Sequence, residues 1–437
     1  MAHVLSLIYG STTSSLVASG CYLNNYLPKP GDPNAASVTD TITVTLKGTS
    51  PIDVRNKRRA VESFFSAARK RQQWRSGDKV FLQFQLSTDT VTYRSEVLDG
   101  RLELIDDSVQ EAALNYLECV IYVTRRPYWE GALTALELGN GNGLSVTGLT
   151  IYNHDDGTGG HDNYGLITDS QIGGTLATPL RLEIKNLGSR QVKNVHVSLD
   201  SVASSAQNLN PILEGEDGTG NVAGSYSNGL AKSFTVNTTY NLSKTITSAM
   251  LGYMGGRNVK LLGKFTFSGT VYAKISLTVA GLTVVKAPEV KLNTQDYFQD
   301  LGTLPMPPGY DSGSWADVSL LIEFRSTSSV SMTCDFLQLT FADDGCYRYL
   351  TSVAASWLTL NVNDIIVDDG IEDVAYVDSA TTIIGKIPII SVRGQPIYVQ
   401  PHTGFQKLRF LIDGNSTSVD WTFTVRAWYR PRSSLPL

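Results

Sequence analysis

Apolar and polar residues alternate along most of the chain. Ile42, Val44 and Leu46 do so within Thr41 to Lys47; Val80, Leu82 and Phe84 follow, and Leu117, Cys119, Ile121 and Val123 repeat the pattern before Arg125. A period of two in β-branched and aromatic residues marks strands buried on one face. One segment departs from it. Between Ile52 and Gln73, residues Val54, Val61, Phe65 and Ala68 fall on one stripe of a helix, with Pro51 at a first-turn position. The pattern predicts a single long helix, lying between strands and packed on the side of a β-sandwich or barrel.

The chain has 437 residues, and at about 150 residues per domain three domains are expected. The first covers 1–135. Its boundary is expected near Leu136 to Gly148, where Leu138–Gly143 reads Leu-Gly-Asn-Gly-Asn-Gly. Glycine at that density loses too much backbone entropy for a strand core or a helix, so 136–165 is read as a Gly/Asp-rich connector. Strand patterns follow at Arg181–Ile184, Val195–Val202, Leu261–Phe267, Val271–Val279, Val318–Phe324 and Phe336–Phe341. They predict a jelly-roll β-sandwich over 166–346, with Asn208–Gly229, which holds five glycines, as a mobile loop. A small C-terminal β domain over 347–437 ends in the strand Trp421–Tyr429. The expected fold class is all-β.

Composition narrows the function. Apolar residues make up 42% of the chain and charged residues 18%, the latter below the quarter or so usual in soluble domains. Such a surface suits a chain that buries much of itself against neighbours. The net charge of -5 argues against a general nucleic-acid binder. Cys21, Cys119, Cys334 and Cys346 are too sparse for a disulfide scaffold. The spacing permits Cys21/Cys119 and Cys334/Cys346 bridges without demanding either, and buried free thiols are the favoured reading. Met1–Tyr9 lacks the basic lead and long apolar core of a signal peptide, and no window approaches a membrane span. The expectation is a chain assembled in a cytoplasm that leaves by lysis or inside a particle.

Candidate chemistry is sparse. His154, Asp155, Asp156, His161 and Asp162 place two imidazoles and three carboxylates within nine residues. Their oxygens suit a hard cation such as Ca2+ and the imidazoles a transition metal. The spacing matches no zinc or EF-hand pattern, and a polar connector whose side chains bond their own backbone is the favoured reading. Asp217–Gly220, after Glu214 and Glu216, is a second acidic, glycine-rich run, read as a loop. Arg55, Lys57, Arg58, Arg59, Arg69, Lys70, Arg71 and Arg75 make the helix basic. Stacking aromatics are missing from its polar face, so a subunit-facing surface meeting acidic residues is preferred to phosphate binding; Arg55, Arg58, Arg59, Arg69 and Arg71 are its candidates. Tyr240, Tyr253, Tyr297, Phe298 and Trp315 are candidates for a sugar platform, with core packing as the plainer reading. No Gly-x-Ser-x-Gly, His-Glu-x-x-His, Cys-x-x-Cys or P-loop motif is present. Asp368-Asp369 before Gly370 reads as a turn. Neither an enzyme nor a cofactor is expected.

The order of strand pair, helix with Val61-Glu62-Ser63-Phe64-Phe65-Ser66-Ala67-Ala68-Arg69, strands, and Arg125-Arg126-Pro127-Tyr128-Trp129-Glu130-Gly131 resembles the N-terminal domain of distal tail and tail-tube proteins of long-tailed, siphovirus-type phages. Asn153–Tyr164 and Trp428-Tyr429-Arg430-Pro431-Arg432 are similar to segments of phage-type tail proteins. The resemblance covers residues 1–135 and only weakly the rest, and it carries no catalytic residue. It implies a helix-flanked β-sandwich that forms rings, usually hexameric, in the tail tube or at the baseplate hub. The implied partners are copies of the chain, other tube and tip proteins and the tape measure, with DNA passing through the lumen unrecognised. The implied location is the virion. The third domain departs from the usual two. A receptor-recognition protein binding host surface glycans is the alternative.

Overall fold

The computed structural model describes residues 4–86, 89–105, 115–153, 161–188, 190–202, 212–214, 222–223, 230–279, 281–292, 298–308, 318–351, 358–360, 362–379, 386–389, 391–414 and 422–436. The chain is nearly all β, in antiparallel sheets. It divides into two units. The first comprises Met1–Thr134, Gly173–Thr178 and Arg430–Leu437, and the second Ala135–Ile172 and Pro179–Tyr429.

In the first unit, β1 (Val4–Tyr9), β2 (Thr12–Ser15), β3 (Cys21–Asn25), β4 (Val38–Lys47), β5 (Val80–Gln85), β6 (Tyr93–Leu104) and β7 (Tyr116–Arg125) run in the order β2-β1-β5-β6-β7-β4-β3. The first half of β6 pairs with β5, and the second half, beyond a bulge between Val97 and Asp99, pairs with β7. A strand that changes partner at a bulge turns a sheet through a corner. The helix α1 (Pro51–Trp74) packs there. Ser50 caps it by accepting from the Asp53 amide, and Arg75 ends it in the left-handed region, φ 53°. Val54, Val61, Phe65 and Ala68 are buried, as the stripe predicts, with Phe64. They share one core with Leu5, Leu7, Ile42, Val44, Leu82, Ile121 and Trp129.

The second unit holds two sandwiches. The strands Tyr164–Ile167, Phe405–Gly414, Arg190–Val202, Tyr347–Thr351 and Ser391–Arg393 lie consecutively in one sheet. Leu149–Tyr152, Thr422–Tyr429, Arg181–Asn186, Ile365–Asp369, Val374–Asp378 and Lys386–Pro388 form the facing sheet. Leu182, Ile184, Val195, Val197, Leu408, Phe410, Phe423 and Val425 fill the space between them. Between Val202 and Tyr347 the chain builds a second sandwich, inserted into the first, whose core includes Phe265, Ile275, Leu320, Phe324, Leu337 and Leu339.

Two expected divisions change here. The proposed break at 346/347 runs through a sheet, because Arg190–Val202 pairs with both Tyr347–Thr351 and Phe405–Gly414. The residues after 347 are the partners that close the first sandwich, and the last eight return to the first unit. The expected connector 136–165 is partly strand: Leu138–Asn140 and Gly143–Ser145 form a hairpin that buries Leu138. Alternation marks a strand but not its partner, so segments far apart in sequence read as separate domains. Of the expected loop Asn208–Gly229, most lies outside the described residues, while Ile212–Glu214 and Val222–Ala223 are strands. The four cysteines are free thiols, and burial pushes Cys21 up to about 12.

Candidate functional site

The basic residues of α1 fall into two sets. Lys57 bridges Asp53 at 3.2 Å and Arg58 bridges Glu62 at 3.0 Å. Arg69 donates to Asp99 and to the Gly100 carbonyl, each at 2.9 Å, and Arg71 donates to the Gly77 carbonyl at 2.6 Å. These four brace the helix. Arg55, Arg59 and Lys70 have no partner among the described residues and lie on the exposed side, opposite the buried stripe. Ile52 and Trp74, each 66% exposed, stand at the two ends of that side. Of the expected contact set, Arg58, Arg69 and Arg71 are therefore engaged within the first unit, and Arg55 and Arg59 remain available. Charge is segregated as well: the first unit carries 17 Lys and Arg against 14 Asp and Glu, and the second 19 against 27.

The metal candidates are not brought together. His154, Asp155 and Asp156 lie outside the described residues. Asp162 accepts from the Gly141 amide at 2.7 Å, and His161 sets its edge against the Tyr152 ring at 4.4 Å. Among the described residues no group of three or more His, Cys, Asp or Glu converges. Tyr240 and Tyr253, candidates for a sugar platform with core packing as the plainer reading, are packed on the core. Tyr240 stacks on Phe234 at 4.1 Å and Tyr253 packs on Phe341 at 5.0 Å, both against the core of the inserted sandwich. Phe298 is buried too, and Tyr297 and Trp315 lie outside the described residues.

No protein-family model matches the sequence, and no curated protein matches it. Solved structures do. A chain of the phage P2 baseplate in its activated conformation with Ca is 8% identical over 100% of both chains, at a TM-score of 0.28. A chain of the activated phage p2 baseplate with Sr is 9% identical over 76% of this chain and 98% of that one, at a TM-score of 0.20. The VP2 subviral particle of infectious bursal disease virus is 10% identical over 69% of this chain and 80% of the other, at a TM-score of 0.15. At such scores no role passes from those chains to this one.

Two polar sites in the second unit carry little sequence signal; of their residues only Asp368 stands out in the sequence, and it lies in the strand Ile365–Asp369, with the turn following from Gly370. The first is the seam between its sandwiches. The strand Arg190–Val202 alternates, so Val195, Val197 and Leu199 face the core while His196, Ser198 and Asp200 face the seam. Arg409 and Asp200 pair there at 2.6 Å with 2% of either side chain exposed, beside an apolar knot of Leu262, Phe298 and Leu411. Nδ1 of His196 lies 2.8 Å from the Tyr347 hydroxyl, and burial lowers the ring to about 4. The second is an open cleft of about 630 Å³ backed by Arg348. Arg348 pairs with the buried Asp368 at 3.2 Å. Burial pushes Asp368 up to about 6 despite that partner.

Proposed function

We propose that the chain is a non-catalytic structural protein of a phage tail, whose first unit closes with copies of itself into a ring in the tail tube or tail tip and whose second unit decorates that ring. The observation that carries this reading is the open sheet of the first unit. Its path ends in two different short strands, β2 and β3, and neither has an outer strand partner among the described residues. Two unlike edges allow a heterologous contact, which generates a ring when its rotation closes, through main-chain bonds across the edge. The unpaired side of α1, with Arg55, Arg59 and Lys70, is the second contact face, turned toward acidic surface of a neighbour. The partners in this reading are copies of the chain and adjoining tube, tip and tape-measure proteins, and the location is the virion.

Light scattering and negative-stain electron microscopy of the purified full chain test the reading. Annular multimers of defined symmetry are expected. A monomer at every concentration and ionic strength overturns it.

A second reading, recognition of host surface glycans by the sandwiches of the second unit, is favoured by the cleft at Arg348, which replaces the aromatic platform as its candidate.

A further inference from the structure

The cleft opens where both sheets of the discontinuous sandwich end, on the outermost strands Lys386–Pro388 and Ser391–Arg393. Its volume of about 630 Å³ lies within the roughly 300–1,000 Å³ of small-molecule sites. Ile389 and Val392 form an apolar wall and rest on the sandwich core. At the back, the Arg348 guanidinium is almost wholly buried and spans three acceptors. Nε donates to Asp368 at 3.2 Å, Nη1 to the Gly394 carbonyl at 2.9 Å, and Nη2 to Asp373 at 3.3 Å.

A buried ion pair is not needed to hold a sandwich together, since apolar residues of equal volume do so as well or better. Here its third contact reaches out of the core to a rim residue that is 74% exposed. Asp373 is thereby anchored, in the left-handed region at φ 52°, with its second carboxylate oxygen left for other donors. On the rim, the Lys386 ammonium lies over a face of the Tyr376 ring, 4.8 Å from its centroid. Gln395 adds an exposed amide, both donor and acceptor.

These groups define the ligand. Arg348 and Lys386 balance Asp368 and Asp373, so the cleft favours neither anion nor cation. Fixed acceptors and donors surround an apolar wall and an aromatic ring. A sugar ring has this complement: each hydroxyl donates and accepts, while its C–H face is apolar and lies against an apolar wall. We propose that the cleft binds a neutral mono- or disaccharide, with Asp373 and Gln395 bonding its hydroxyls and the apolar wall of Ile389 and Val392 receiving its C–H face. The proposal rests on the second reading above and gives it a site.

The test uses the full chain. It is screened on an array of neutral, acidic and amino-sugar glycans, and calorimetry follows with galactose, glucose, N-acetylglucosamine and lactose. Asp373→Asn and Gln395→Ala change rim side chains only, and unchanged melting confirms that they fold. The expected result is binding of a neutral sugar, weakened at least tenfold by Asp373→Asn and at least threefold by Gln395→Ala. If the wild-type chain binds no glycan, the second reading and the site fail together. If it binds one and both variants bind it within twofold of wild type, the site alone fails. Binding confined to charged glycans overturns the assignment of a neutral ligand.

Discussion

Arg125 and Asp40 meet inside the first unit with neither side chain exposed, Nε to Oδ2 at 2.7 Å. The same carboxylate accepts from the Tyr26 hydroxyl at 2.9 Å and from the Lys29 amide at 3.1 Å, while Arg125 donates to the Lys29 carbonyl at 2.8 Å and lies over the Trp129 ring at 4.4 Å. The pair thus binds the segment leaving β3 to the ends of β4 and β7. Removing one partner strands a buried charge, which costs about 3–5 kcal/mol. Asp40→Ala is expected to lower unfolding free energy by that amount in urea titration. Replacing both partners together, with Asp40→Leu and Arg125→Met, is expected to restore part of it, since the Tyr26 hydroxyl and the Lys29 amide and carbonyl still lose their partners. A loss in the double variant equal to the sum of the losses from Asp40→Leu and Arg125→Met made singly would show that the charges are not coupled.

The helix is seated by an absence of side chain. A Cβ on Gly100, just past the bulge in β6, would lie 2.3 Å from the Phe65 ring. Gly100→Ala must therefore displace α1, at about 1–3 kcal/mol. Phe65→Asp buries an unpaired carboxylate in the same place and is expected to abolish folding of the first unit. Circular dichroism melts check both, and a Phe65→Asp chain that melts like wild type would refute the packing.

What could be read in the sequence follows from what each pattern encodes. The helical stripe placed α1 at Ile52–Gln73, within a residue of each observed end, because a 3.6-residue period over six turns has few rivals. The alternating runs marked strands well, but β pairing is a matter between distant segments, so the return of residues 347–429 to Arg181–Val202 was invisible. Composition counted the basic residues of α1 without telling Arg69, which reaches Asp99, from Arg59, which reaches nothing described. The sequence leaves a sugar platform at Tyr240 and Tyr253 open beside the plainer reading of core packing, because a side chain's exposure is not written in its identity. The cleft draws on Arg348, Asp373–Tyr376 and Lys386–Gln395, three segments that no local signal links.

Two buried groups in the second unit titrate in opposition. His196 is neutral in the fold, lowered by burial from 6.5 to about 4. Its Nε2 has no hydrogen-bond partner, so a charged ring would bury an N–H without an acceptor. Lys260 and Asp300, the charged groups felt by the ring, oppose one another. The unfolded chain takes up the proton first, so this contribution is complete above about pH 6.5 and is lost toward pH 4, about 2 kcal/mol of it by pH 5. Asp368 runs the other way. Its folded carboxyl, raised from 3.8 to about 6, takes the proton first, so stability increases as pH falls through that interval. His196→Gln is expected to leave a chain that gains stability on acidification from pH 7 to 5, and Asp368→Asn one that loses it more steeply than wild type. Denaturant unfolding at several pH values reads the slopes, and parallel slopes in all three chains would contradict the assignment.

The C-terminal residues are structural parts of the first unit. Arg432 is nearly buried, pairs with Glu130 at 2.7 Å and stacks over Tyr128 at 3.9 Å. Its carbonyl accepts from the amides of Thr175 and Leu176, and the Ser434 carbonyl accepts from Gly31. Arg432→Ala leaves Glu130 without its cation, an expected loss of about 3 kcal/mol. Truncation after Tyr429 removes every one of these contacts and is expected to expose the first unit to limited proteolysis. A truncated chain as protease-resistant as the full one would show the strap to be dispensable.

The unpaired side of α1 offers a test of assembly that spares the fold. Arg55, Arg59 and Lys70 are exposed and have no hydrogen-bond or ion-pair partner among the described residues, so changing them to Glu removes nothing that braces the helix. The changes also turn three attractive charges into repulsive ones for an acidic neighbour. Contacts between exposed charges are screened within about 8–10 Å at physiological salt, so wild-type assembly through this face weakens as ionic strength rises. The triple variant Arg55→Glu, Arg59→Glu and Lys70→Glu is expected to melt within about 6 °C of wild type, since surface changes of this kind alter stability by no more than about 0.5 kcal/mol each and 1 kcal/mol moves the melting temperature of a unit this size by about 2–4 °C. Its multimers are expected to dissociate at a protein concentration at least tenfold higher than those of wild type, measured by light scattering at low salt. Reversal of Arg58, Arg69 and Arg71 instead should lower the melting temperature, because their partners lie within the first unit. If the triple variant assembles at the same concentration and with the same salt dependence as wild type, this face of α1 takes no part in the contact, and the ring would have to be held by the edges of β2 and β3 alone.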